Sequence, residues 1–429
     1  MLTQDDLTIS TLGERQIPSP LAGIHSGPRR FVEDDRRVLH TIDYVQGALP
    51  ATLGFEKAGP REQLFFDPAE SRAAIVTCGG LCPGLNNVIR NLFYTLHDGY
   101  GVPQVFGIRN GYQGLNPEVG KEPFDLRHRD VESIHLHGGT MLGTSRGPQD
   151  PRVMVDFLQS LGVNLLFTLG GDGTQRGAHA IAEEVARREA KIAVVGIPKT
   201  IDNDIKYCYR TFGFLTAVAE AERVIDRAHI EAVSVDRGVG LVKLMGREAG
   251  FIAAAATIAS GDVNFTLIPE EPLKLEGEGG FLPRLARRLD ARGHAVVVVA
   301  EGAGQELFAE LGVDKSGNKR LGDIGPLLKE KVTDYFAQED RQPASVKYFD
   351  PSYYIRSAPA NAADSLLTEQ LSRQACHAAL AGKTDMMVSL WHNQTVHVPL
   401  SLSTGAVKRL DLDRDLWAAV LATTGQEKW

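Results

Sequence analysis

The sequence predicts an α/β protein with two Rossmann-like parallel-sheet domains and an N-terminal extension. Strand–loop–helix units repeat from Arg72 onward, and this alternation is typical of right-handed crossovers between parallel strands. The length of 429 residues exceeds what one ordinary core accommodates, so two domains are expected. Residues 1–70 are punctuated by Pro and Gly and contain no run of strands. They are predicted to wrap the core or a neighbouring subunit.

Apolar runs and helical spacing place the elements in order along the chain. The first domain is predicted over residues 71–213, completed by residues 356–429, and the second over residues 214–355. The strands predicted for the first domain lie at 73–77, 163–169, 193–197, 386–391 and 395–398, the last two as a hairpin. Its predicted helices lie at 86–97, 178–188 and 362–381. The second domain is predicted to have strands at 239–244, 265–268, 295–300 and 346–349. Its predicted helices lie at 215–228, 247–259, 282–292 and 324–337.

The composition argues against several classes of function. Lys and Arg number 46 against 54 Asp and Glu, a formal charge of −8, which argues against a nucleic-acid partner. No uncharged apolar stretch approaches the roughly 20 residues of a membrane span, and the first residues lack the apolar region of a signal peptide. Four cysteines suit reduced thiols better than a disulfide framework. We therefore expect a cytoplasmic protein without a membrane partner, and no zinc at Cys78 and Cys82, which lack a second ligand pair.

A glycine-rich segment with one aspartate, Gly170–Thr174, directly follows an apolar run. Glycines at the carboxyl end of a strand expose N–H groups to phosphate oxygens, and open α/β sheets bind their ligands at this edge. Asp172 is suited to ligate Mg²⁺ between the transferring phosphates. An Asp-Gly turn that only caps the next helix is the alternative, but three glycines exceed what a cap requires. The segment therefore indicates phosphoryl transfer.

A second acidic segment, Pro198–Asp204, follows the next predicted strand. Asp202 and Asp204 lie two residues apart in a loop, so their side chains need not point the same way. One carboxylate can accept a hydroxyl proton while the other serves the metal. A capping loop is again the alternative, although this segment places many polar groups at one strand end.

Two further glycine-rich segments precede candidate anion-binding groups. Gly79 and Gly80 lie between a strand and a helix, where backbone N–H groups can receive phosphate, although a simple turn explains them equally well. The segment 138–146 ends in Arg146, whose planar guanidinium is suited to a phosphate. Each signal is weak alone and gains weight from the aspartate segments.

The second half of the chain places polar groups at strand ends in the same way. Met245-Gly246-Arg247 lies at a strand-to-helix junction. Glu301 ends a very apolar strand, where a carboxylate is costly unless it binds a hydroxyl or a cation. Lys347 and Arg356 flank Tyr353, and two cations there suggest a phosphate on the acceptor.

Taken in order, these segments resemble the phosphofructokinase family over roughly residues 59–382, and most of all its long-chain ATP-dependent branch, which is related to pyrophosphate-dependent enzymes. The resemblance implies transfer from Mg-ATP to the 1-hydroxyl of fructose 6-phosphate in glycolysis, with Asp202 as proton acceptor and Asp204 and Arg247 as further catalytic residues. It places at the donor site Gly79, Gly80, Arg146, Gly147, Gly171, Asp172 on Mg²⁺, Gly173 and Thr174. It places at the sugar Thr200, Ile201, Asp202, Met245, Gly246, Arg247, Glu301, Lys347, Tyr353 and Arg356.

The resemblance also implies allosteric regulation and a homo-oligomer, with a tetramer favoured over a dimer. Lys347 falls where short bacterial enzymes place an arginine of the adjacent subunit, which implies a shared active site. Tyr353 replaces a histidine of their sugar pocket. Another intersubunit arginine falls at Gly238, next to Arg237.

Two positions bear on the phosphoryl donor and disagree. Pyrophosphate-dependent relatives carry Asp at the position of Gly173, where it repels the nucleotide α-phosphate, and Lys at the position of Lys199, which this chain shares. Exclusion by a clash and like charge outweighs added phosphate affinity, so ATP is predicted. A pyrophosphate-dependent enzyme and a non-catalytic regulatory subunit are the alternatives, the latter disfavoured because Asp172 and Asp202 are both present.

Overall fold

The computed structural model describes residues 2–23, 31–47, 52–313 and 319–427. These residues form two compact units. The first unit comprises residues 1–200, 205–213 and 358–406, and the second comprises residues 201–204, 214–357 and 407–429. Within the described ranges, no helix is both long and apolar enough to cross a bilayer.

Strands and helices alternate through both units, as the sequence predicts. In chain order the strands are β1 (Ser10–Thr11), β2 (Ile17–Pro18), β3 (Arg37–Leu39), β4 (Gly54–Lys57), β5 (Gln63–Leu64), β6 (Arg72–Thr77), β7 (Gln104–Ile108), β8 (Phe124–Asp125), β9 (Leu165–Gly170), β10 (Ala193–Pro198), β11 (Gly238–Leu244), β12 (Phe265–Leu267), β13 (His294–Ala300), β14 (Ser345–Phe349), β15 (Lys383–Thr384), β16 (Met386–Trp391) and β17 (Gln394–Pro399). The α-helices are α1 (Leu85–Tyr94), α2 (His128–Val131), α3 (Pro151–Ser160), α4 (Asp172–Arg187), α5 (Phe214–Val233), α6 (Phe251–Ser260), α7 (Phe281–Arg292), α8 (Ile324–Phe336), α9 (Ser352–Arg356), α10 (Ala362–Leu380), α11 (Leu400–Ser403) and α12 (Asp415–Thr424).

The first unit is built on a nine-stranded sheet in the order β3-β4-β17-β16-β10-β9-β6-β7-β8. The five central strands, from β16 to β7, run parallel, and antiparallel strands flank them on both sides. Every residue of β9 and β10 is buried, which explains their continuous apolar sequences, since helices cover both faces of a parallel sheet. The carboxyl ends of β6, β9 and β10 therefore share one edge of the sheet.

The N-terminal extension contains strands, contrary to the prediction that residues 1–70 lack them. β3 pairs with β4, and β4 pairs with β17, so the extension lengthens the first sheet. Phe55 on β4 is fully buried in the core of this unit. These strands are two to four residues long, too short for a period of two to be read from the sequence. Residues 24–30 and 48–51 of the extension lie outside the described residues.

A buried ionic cluster ties the extension to the β16–β17 hairpin. The Glu56 carboxylate lies 2.7 Å from Arg61 Nη2, 3.0 Å from Lys383 Nζ and 3.1 Å from His397 Nδ1. Burial alone would raise the pKa of Glu56, but the His397 hydrogen bond and the charges of Lys383 and Arg61 outweigh it. The pKa of Glu56 is therefore held well below its usual range.

We expect Glu56→Gln to destabilise the first unit by about 3–5 kcal/mol at neutral pH, because buried Arg61 and Lys383 then lose a counter-charge. A carboxyl group whose pKa is lowered by folding stabilises the folded state at pH values above its unfolded pKa, which is about 4.3 for Glu. This stabilisation is lost as the pH falls below that value. The difference in the free energy of unfolding between wild type and Glu56→Gln should therefore become smaller only at acidic pH. Denaturant unfolding at several pH values measures it, with exposed Glu62→Gln as the control. Equal stability of both variants at neutral pH contradicts this account.

The second unit is built on a four-stranded, fully parallel sheet in the order β12-β13-β11-β14. β11 and β13 pair along their whole lengths, from Gly238 with His294 to Leu244 with Ala300. The Val-rich centre of β13 is buried, as the apolar run at 295–300 predicts. The carboxyl ends of β11 and β13 therefore place Met245 and Glu301 next to each other.

The C-terminal residues belong to the second unit, contrary to the prediction that all of 356–429 completes the first domain. The Gln426 carboxamide accepts the N–H of Thr266 on β12 at 2.7 Å and donates to its carbonyl at 3.1 Å. Glu270 accepts the N–H of Leu410 at 2.8 Å. These bonds are long-range pairings that no local sequence pattern predicts.

Candidate functional site

The predicted site residues divide between the two units. Three loops of the first unit leave the carboxyl ends of the adjacent parallel strands β6, β9 and β10. They carry the glycine-rich segments, Asp172 and Lys199. The second unit carries Asp202, Asp204 and the segments that follow β11, β13 and β14. The chain itself passes from the first group to the second between Thr200 and Ile201.

The loop after β6 is held from several sides. The Gly79 N–H donates to the Ser145 carbonyl at 3.1 Å, and the Thr144 hydroxyl donates to the Gly79 carbonyl at 2.6 Å. Gly79 adopts a φ of 82°, a left-handed conformation that favours glycine. Lys199 donates through Nζ to the Gly80 carbonyl at 2.6 Å. Lys199 is buried, and its ammonium helps to hold this loop in position.

Arg146 and Gly147 lie on the segment that this loop contacts. Arg146 is exposed, and a Cβ placed on Gly80 would lie 3.7 Å from its guanidinium. Gly147 has a φ of 105° with nothing within 4 Å of a Cβ placed on it, so its conformation rather than space requires glycine. The structure thus brings Gly79, Gly80 and Arg146 together, as the sequence predicts.

The loop after β9 runs directly into α4. A Cβ on Gly170 would overlap the Thr174 side chain, and one on Gly171 would lie 3.4 Å from the Lys199 carbonyl, so both glycines permit close packing. Thr174 itself is buried, and its N–H donates to the Gly171 carbonyl. The N–H groups of the first turn of α4 face the sheet edge where an anion would be received.

Asp172 begins α4 with one carboxylate oxygen engaged. Oδ2 pairs with Arg176 one turn on, whereas Oδ1 is buried and has no hydrogen-bond partner among the described residues. A buried oxygen without a donor is suited to a cation, and oxygen is the ligand that Mg²⁺ prefers. The donor set therefore fits Mg²⁺.

Gly173 faces open space. A Cβ placed on it meets only the Arg176 guanidinium, at 3.7 Å, and its φ is not in the left-handed region. Neither packing nor backbone conformation therefore requires glycine here. The structure leaves room at this position for whatever binds at the helix N-terminus.

In the second unit, Asp202 is the centre of a group of charges. Burial raises the pKa of Asp202, and the carboxylates of Asp204 and Glu301 raise it further. The Arg356 charge and the backbone N–H of Arg247 oppose this rise, but only in part. The pKa of Asp202 therefore lies well above its usual range, as is typical of a proton acceptor in a functional site.

The loop that carries Asp202 bends at Asn203, whose φ of 58° is left-handed. Lys408 donates its backbone N–H to the Asp204 carbonyl at 2.8 Å. Ile201 is buried. In the first-unit part of the loop, the Thr211 hydroxyl donates a hydrogen bond to the Thr200 carbonyl at 2.7 Å. The left-handed residue lies between the two aspartates, so this part of the loop is not extended.

The segments after β11 and β13 are joined through their backbones. Glu301 donates its N–H to the Leu244 carbonyl at 2.8 Å, and Gly302 donates to the Gly246 carbonyl at 3.0 Å. Gly246 adopts a φ of 123°. The Met245 side chain is fully buried and belongs to the core. Gln305, which the sequence analysis missed, donates to the Glu301 carbonyl at 3.0 Å.

Arg247, predicted to be a catalytic and sugar-binding residue, faces Asp202 with its backbone and not with its guanidinium. Its backbone N–H faces Asp202, while its guanidinium donates to the Lys319 carbonyl at 2.6 Å. Arg356, at the end of α9, lies 3.9 Å from the Glu301 carboxylate. The structure therefore brings Asp204, Arg247, Glu301 and Arg356 to Asp202.

Lys347 and Tyr353 are not brought into this group. Lys347 is exposed on β14, and no hydrogen bond or ion pair of its side chain occurs among the described residues. Tyr353 is 83% exposed on the first turn of α9. Arg237 is buried and pairs with Asp290 at 2.6 Å, so its own unit already engages it.

A lysine that the sequence analysis missed supports α9. Lys243, on β11, is buried, with Nζ 2.9 Å from Asp323 and 2.8 Å from Asp350. Asp350 accepts hydrogen bonds from the backbone N–H and the hydroxyl of Ser352, the first residue of α9. The helix that carries Arg356 is thus fixed through Asp350. A lysine inside an apolar strand was the available sequence signal.

Fold and site together are those of an α/β phosphotransferase class of protein. Glycine loops and an aspartate with one buried oxygen, unpartnered within the described part of the chain, lie at one sheet edge, and a second aspartate is buried, has a raised pKa and lies among charged side chains. The comparisons with known proteins specify the family. The phosphofructokinase family model matches residues 72–379. The chain belongs to the phosphofructokinase family.

Curated relatives match nearly the whole chain. An ATP-dependent 6-phosphofructokinase from Borreliella burgdorferi is 45% identical, over 98% of this chain and 97% of that protein. One from Trypanosoma cruzi is 44% identical, over 99% of this chain and 88% of that protein. Among solved structures, a pyrophosphate-dependent phosphofructokinase from Marinobacter aquaeolei superposes with a TM-score of 0.69 at 21% identity, over 84% of this chain and 92% of that one. At that identity the structural match shows the fold alone.

Proposed function

We propose that the chain phosphorylates fructose 6-phosphate at its 1-hydroxyl with Mg-ATP, giving fructose 1,6-bisphosphate and ADP in glycolysis. Curated relatives of this activity match it over nearly its full length. The single observation that carries the mechanism is the buried Asp202 carboxylate, whose raised pKa equips it to accept a proton.

The donor is assigned to the first unit. The N–H groups of the Gly79–Gly80 loop and of the first turn of α4 receive the ATP phosphates, and Arg146 adds a cation. Asp172 Oδ1 is the oxygen that would hold Mg²⁺, and the ion would supply charge neutralisation at the phosphates. In this proposal Gly147, Gly171, Gly173 and Thr174 shape the same site.

The acceptor is assigned to the second unit. As the 1-hydroxyl oxygen bonds to the γ-phosphorus, Asp202 takes its proton and the bond from phosphorus to the β-phosphate oxygen breaks, releasing ADP. The Glu301 carboxylate accepts a hydrogen bond from a sugar hydroxyl, and Arg356 and Arg247 bind the 6-phosphate. For Arg247 this requires its guanidinium to leave the Lys319 carbonyl. Asp204 is the carboxylate assigned to the metal ion, while Asp202 accepts the proton.

ATP is the donor in this proposal because Gly173 leaves open space where a charged side chain would repel the α-phosphate. Lys199, the feature shared with pyrophosphate-dependent enzymes, donates to the Gly80 carbonyl and so has a role in holding the loop that does not depend on the donor. This hydrogen bond supports ATP as the donor, because it gives a reason for Lys199 that holds with either donor.

We also propose a cytoplasmic homo-oligomer, a tetramer rather than a dimer, with allosteric regulation through its interfaces. Four free, buried cysteines suit a reducing compartment. Exposed Lys347 and Tyr353 are available to complete a neighbouring subunit's site. Mixing Asp202→Asn with Lys347→Met subunits should restore activity, because one site of a mixed pair is then intact. No recovery after subunit exchange contradicts a shared site.

Product analysis tests the proposed reaction. Purified chain with fructose 6-phosphate, ATP and Mg²⁺ should give the ³¹P NMR signals of fructose 1,6-bisphosphate and ADP. Glucose 6-phosphate serves as the control acceptor and should remain unphosphorylated. The absence of a new sugar phosphate, or equal use of both sugars, contradicts the proposal.

We expect Lys243→Met to raise KM for fructose 6-phosphate more than it lowers kcat. Without the ammonium, Asp350 loses the partner that fixes the start of α9, so Arg356 is less well positioned. A displacement of this kind costs up to about 10²-fold in kcat/KM. Steady-state kinetics measure the effect, with Lys329→Met on α8 as the exposed-lysine control. An unchanged KM contradicts this positioning role.

A further inference from the structure

Two histidines and an aspartate meet on the surface of the first unit, in a group that the proposed reaction does not use. His97 and Asp98 lie on a π-helical turn, Thr95–Tyr100, that directly extends α1. His128 is the first residue of α2. π-Helical turns are rare and frequently occur at functional sites, since the extra residue redirects side chains. Here the turn directs two neighbouring side chains toward α2.

The potential ligand atoms are close together. His97 Nδ1 lies 2.8 Å from Asp98 Oδ1, and His128 Nε2 lies 2.9 Å from the same oxygen. One ligand atom from each residue lies within 4.8 Å of the others. In a tetrahedral zinc site with bonds of about 2.0–2.1 Å, ligand atoms lie about 3.3 Å apart. A small outward shift of these side chains therefore suffices to admit an ion.

The rings of the two histidines pack on the same buried side chain. Phe93 is buried, and the His97 ring stacks on it at 5.1 Å with an interplanar angle of 14°. The His128 ring meets Phe93 edge-on, also at 5.1 Å. The side chains of His97, Asp98 and His128 are 39%, 45% and 51% exposed, so the outer side of the group is open to solvent. Phe93 supports both rings, and a further ligand position stays accessible.

We propose that His97, Asp98 and His128 form a binding site for a divalent transition metal ion, best suited to Zn²⁺. Two imidazole nitrogens and one carboxylate oxygen are ligands that favour Zn²⁺ over Mg²⁺ and Ca²⁺, which prefer oxygen alone. A water molecule from the open side completes the tetrahedron.

Binding needs a rearrangement of protons but no other chemistry. The ring nitrogens that face Asp98 must present lone pairs to the ion, so each neutral imidazole carries its proton on its other nitrogen. Metal and protons compete for these nitrogens, because only an unprotonated ring nitrogen can bind the ion.

The consequence is a clamp between two parts of the first unit. His97 and Asp98 end the helix that starts after the Gly79–Gly80 loop, and His128 begins the stretch that leads to Arg146. A metal ion bound to both joins these segments away from the glycine loops. We therefore expect it to affect stability and leave turnover with Mg-ATP unchanged.

Calorimetric titration of Zn²⁺ into full-length, chelator-treated protein without nucleotide tests the site, with Co²⁺ absorption as a second readout of nitrogen ligation. We expect His128→Gln to weaken one Zn²⁺ site per chain by at least about tenfold and to abolish the Zn²⁺-dependent rise of the unfolding temperature. His229→Gln is the control, because it removes a histidine 2.9 Å from Asp262 in the other unit. No saturable Zn²⁺ binding by wild type, equal affinity in His128→Gln, or an equal loss in His229→Gln overturns the proposal.

Discussion

Asp202→Asn is expected to lower kcat by about 10²–10⁴-fold while KM for fructose 6-phosphate changes little. Asparagine keeps the size of the side chain and its hydrogen-bonding reach but cannot accept the proton of the 1-hydroxyl. In the proposed function Glu301 and Arg356 hold the sugar, and both remain in this variant. Coupled-assay kinetics with Mg-ATP measure both constants. A variant that turns over at a near-normal rate contradicts the assignment of Asp202 as the proton acceptor.

The raised pKa of Asp202 gives this prediction a pH dependence. Only the deprotonated form accepts a proton, so kcat/KM should rise with pH through a limb well above the value of about 3.9 for an ordinary Asp. Asp204→Asn removes a negative charge that raises the pKa of Asp202, so the limb should move to lower pH. The profile is measured at saturating Mg-ATP. A limb that stays in place, or moves to higher pH, contradicts the electrostatic account.

Gly173→Asp is expected to lower kcat/KM for ATP by about 10²-fold or more. The backbone at this position accepts a side chain, and open space is available, so the variant should fold. Its carboxylate would face the α-phosphate, and like charges in contact cost several kcal/mol, which corresponds to two or more orders of magnitude. The use of pyrophosphate, which lacks that phosphate, should fall much less or increase.

Gly173→Ala separates charge from size in this experiment. A methyl group meets only Arg176, at 3.7 Å, so the alanine variant should retain most of its activity with ATP. The ratio of kcat/KM for pyrophosphate to that for ATP is determined for wild type and both variants. Equal losses in the alanine and aspartate variants contradict the charge argument and assign the effect to packing.

The strands that carry the site were predictable because each apolar run is buried in full and ends at polar residues. β9 and β10 have this pattern, and Asp172 and Asp202 lie in the segments that follow them. The α/β fold class and the family, which such local motifs predict, are confirmed. The roles of the individual site residues stay predictions, supported by the meeting of Asp202, Glu301 and Arg356.

What the sequence could not predict depends on contacts between distant segments. Lys243 lies in an apolar strand, and its partners Asp323 and Asp350 are far along the chain. Lys199 could be interpreted only as a phosphate ligand until its hydrogen bond to Gly80 was visible. The strands of the N-terminal extension are too short to produce a period, and only their pairing with other strands, such as that of β4 with β17, defines them. In each case the structure depends on a contact with a residue or strand elsewhere in the chain, which the local sequence pattern does not indicate.

The most direct test of the account compares ATP and pyrophosphate as donors to fructose 6-phosphate, side by side, with the purified full-length chain and Mg²⁺. The account predicts a kcat/KM for fructose 1,6-bisphosphate formation that is far higher with ATP than with pyrophosphate, because the open space at Gly173 admits the nucleotide. Activity with pyrophosphate alone would contradict it, since Lys199 would then set the donor. Inactivity with both donors would contradict the catalytic assignment itself.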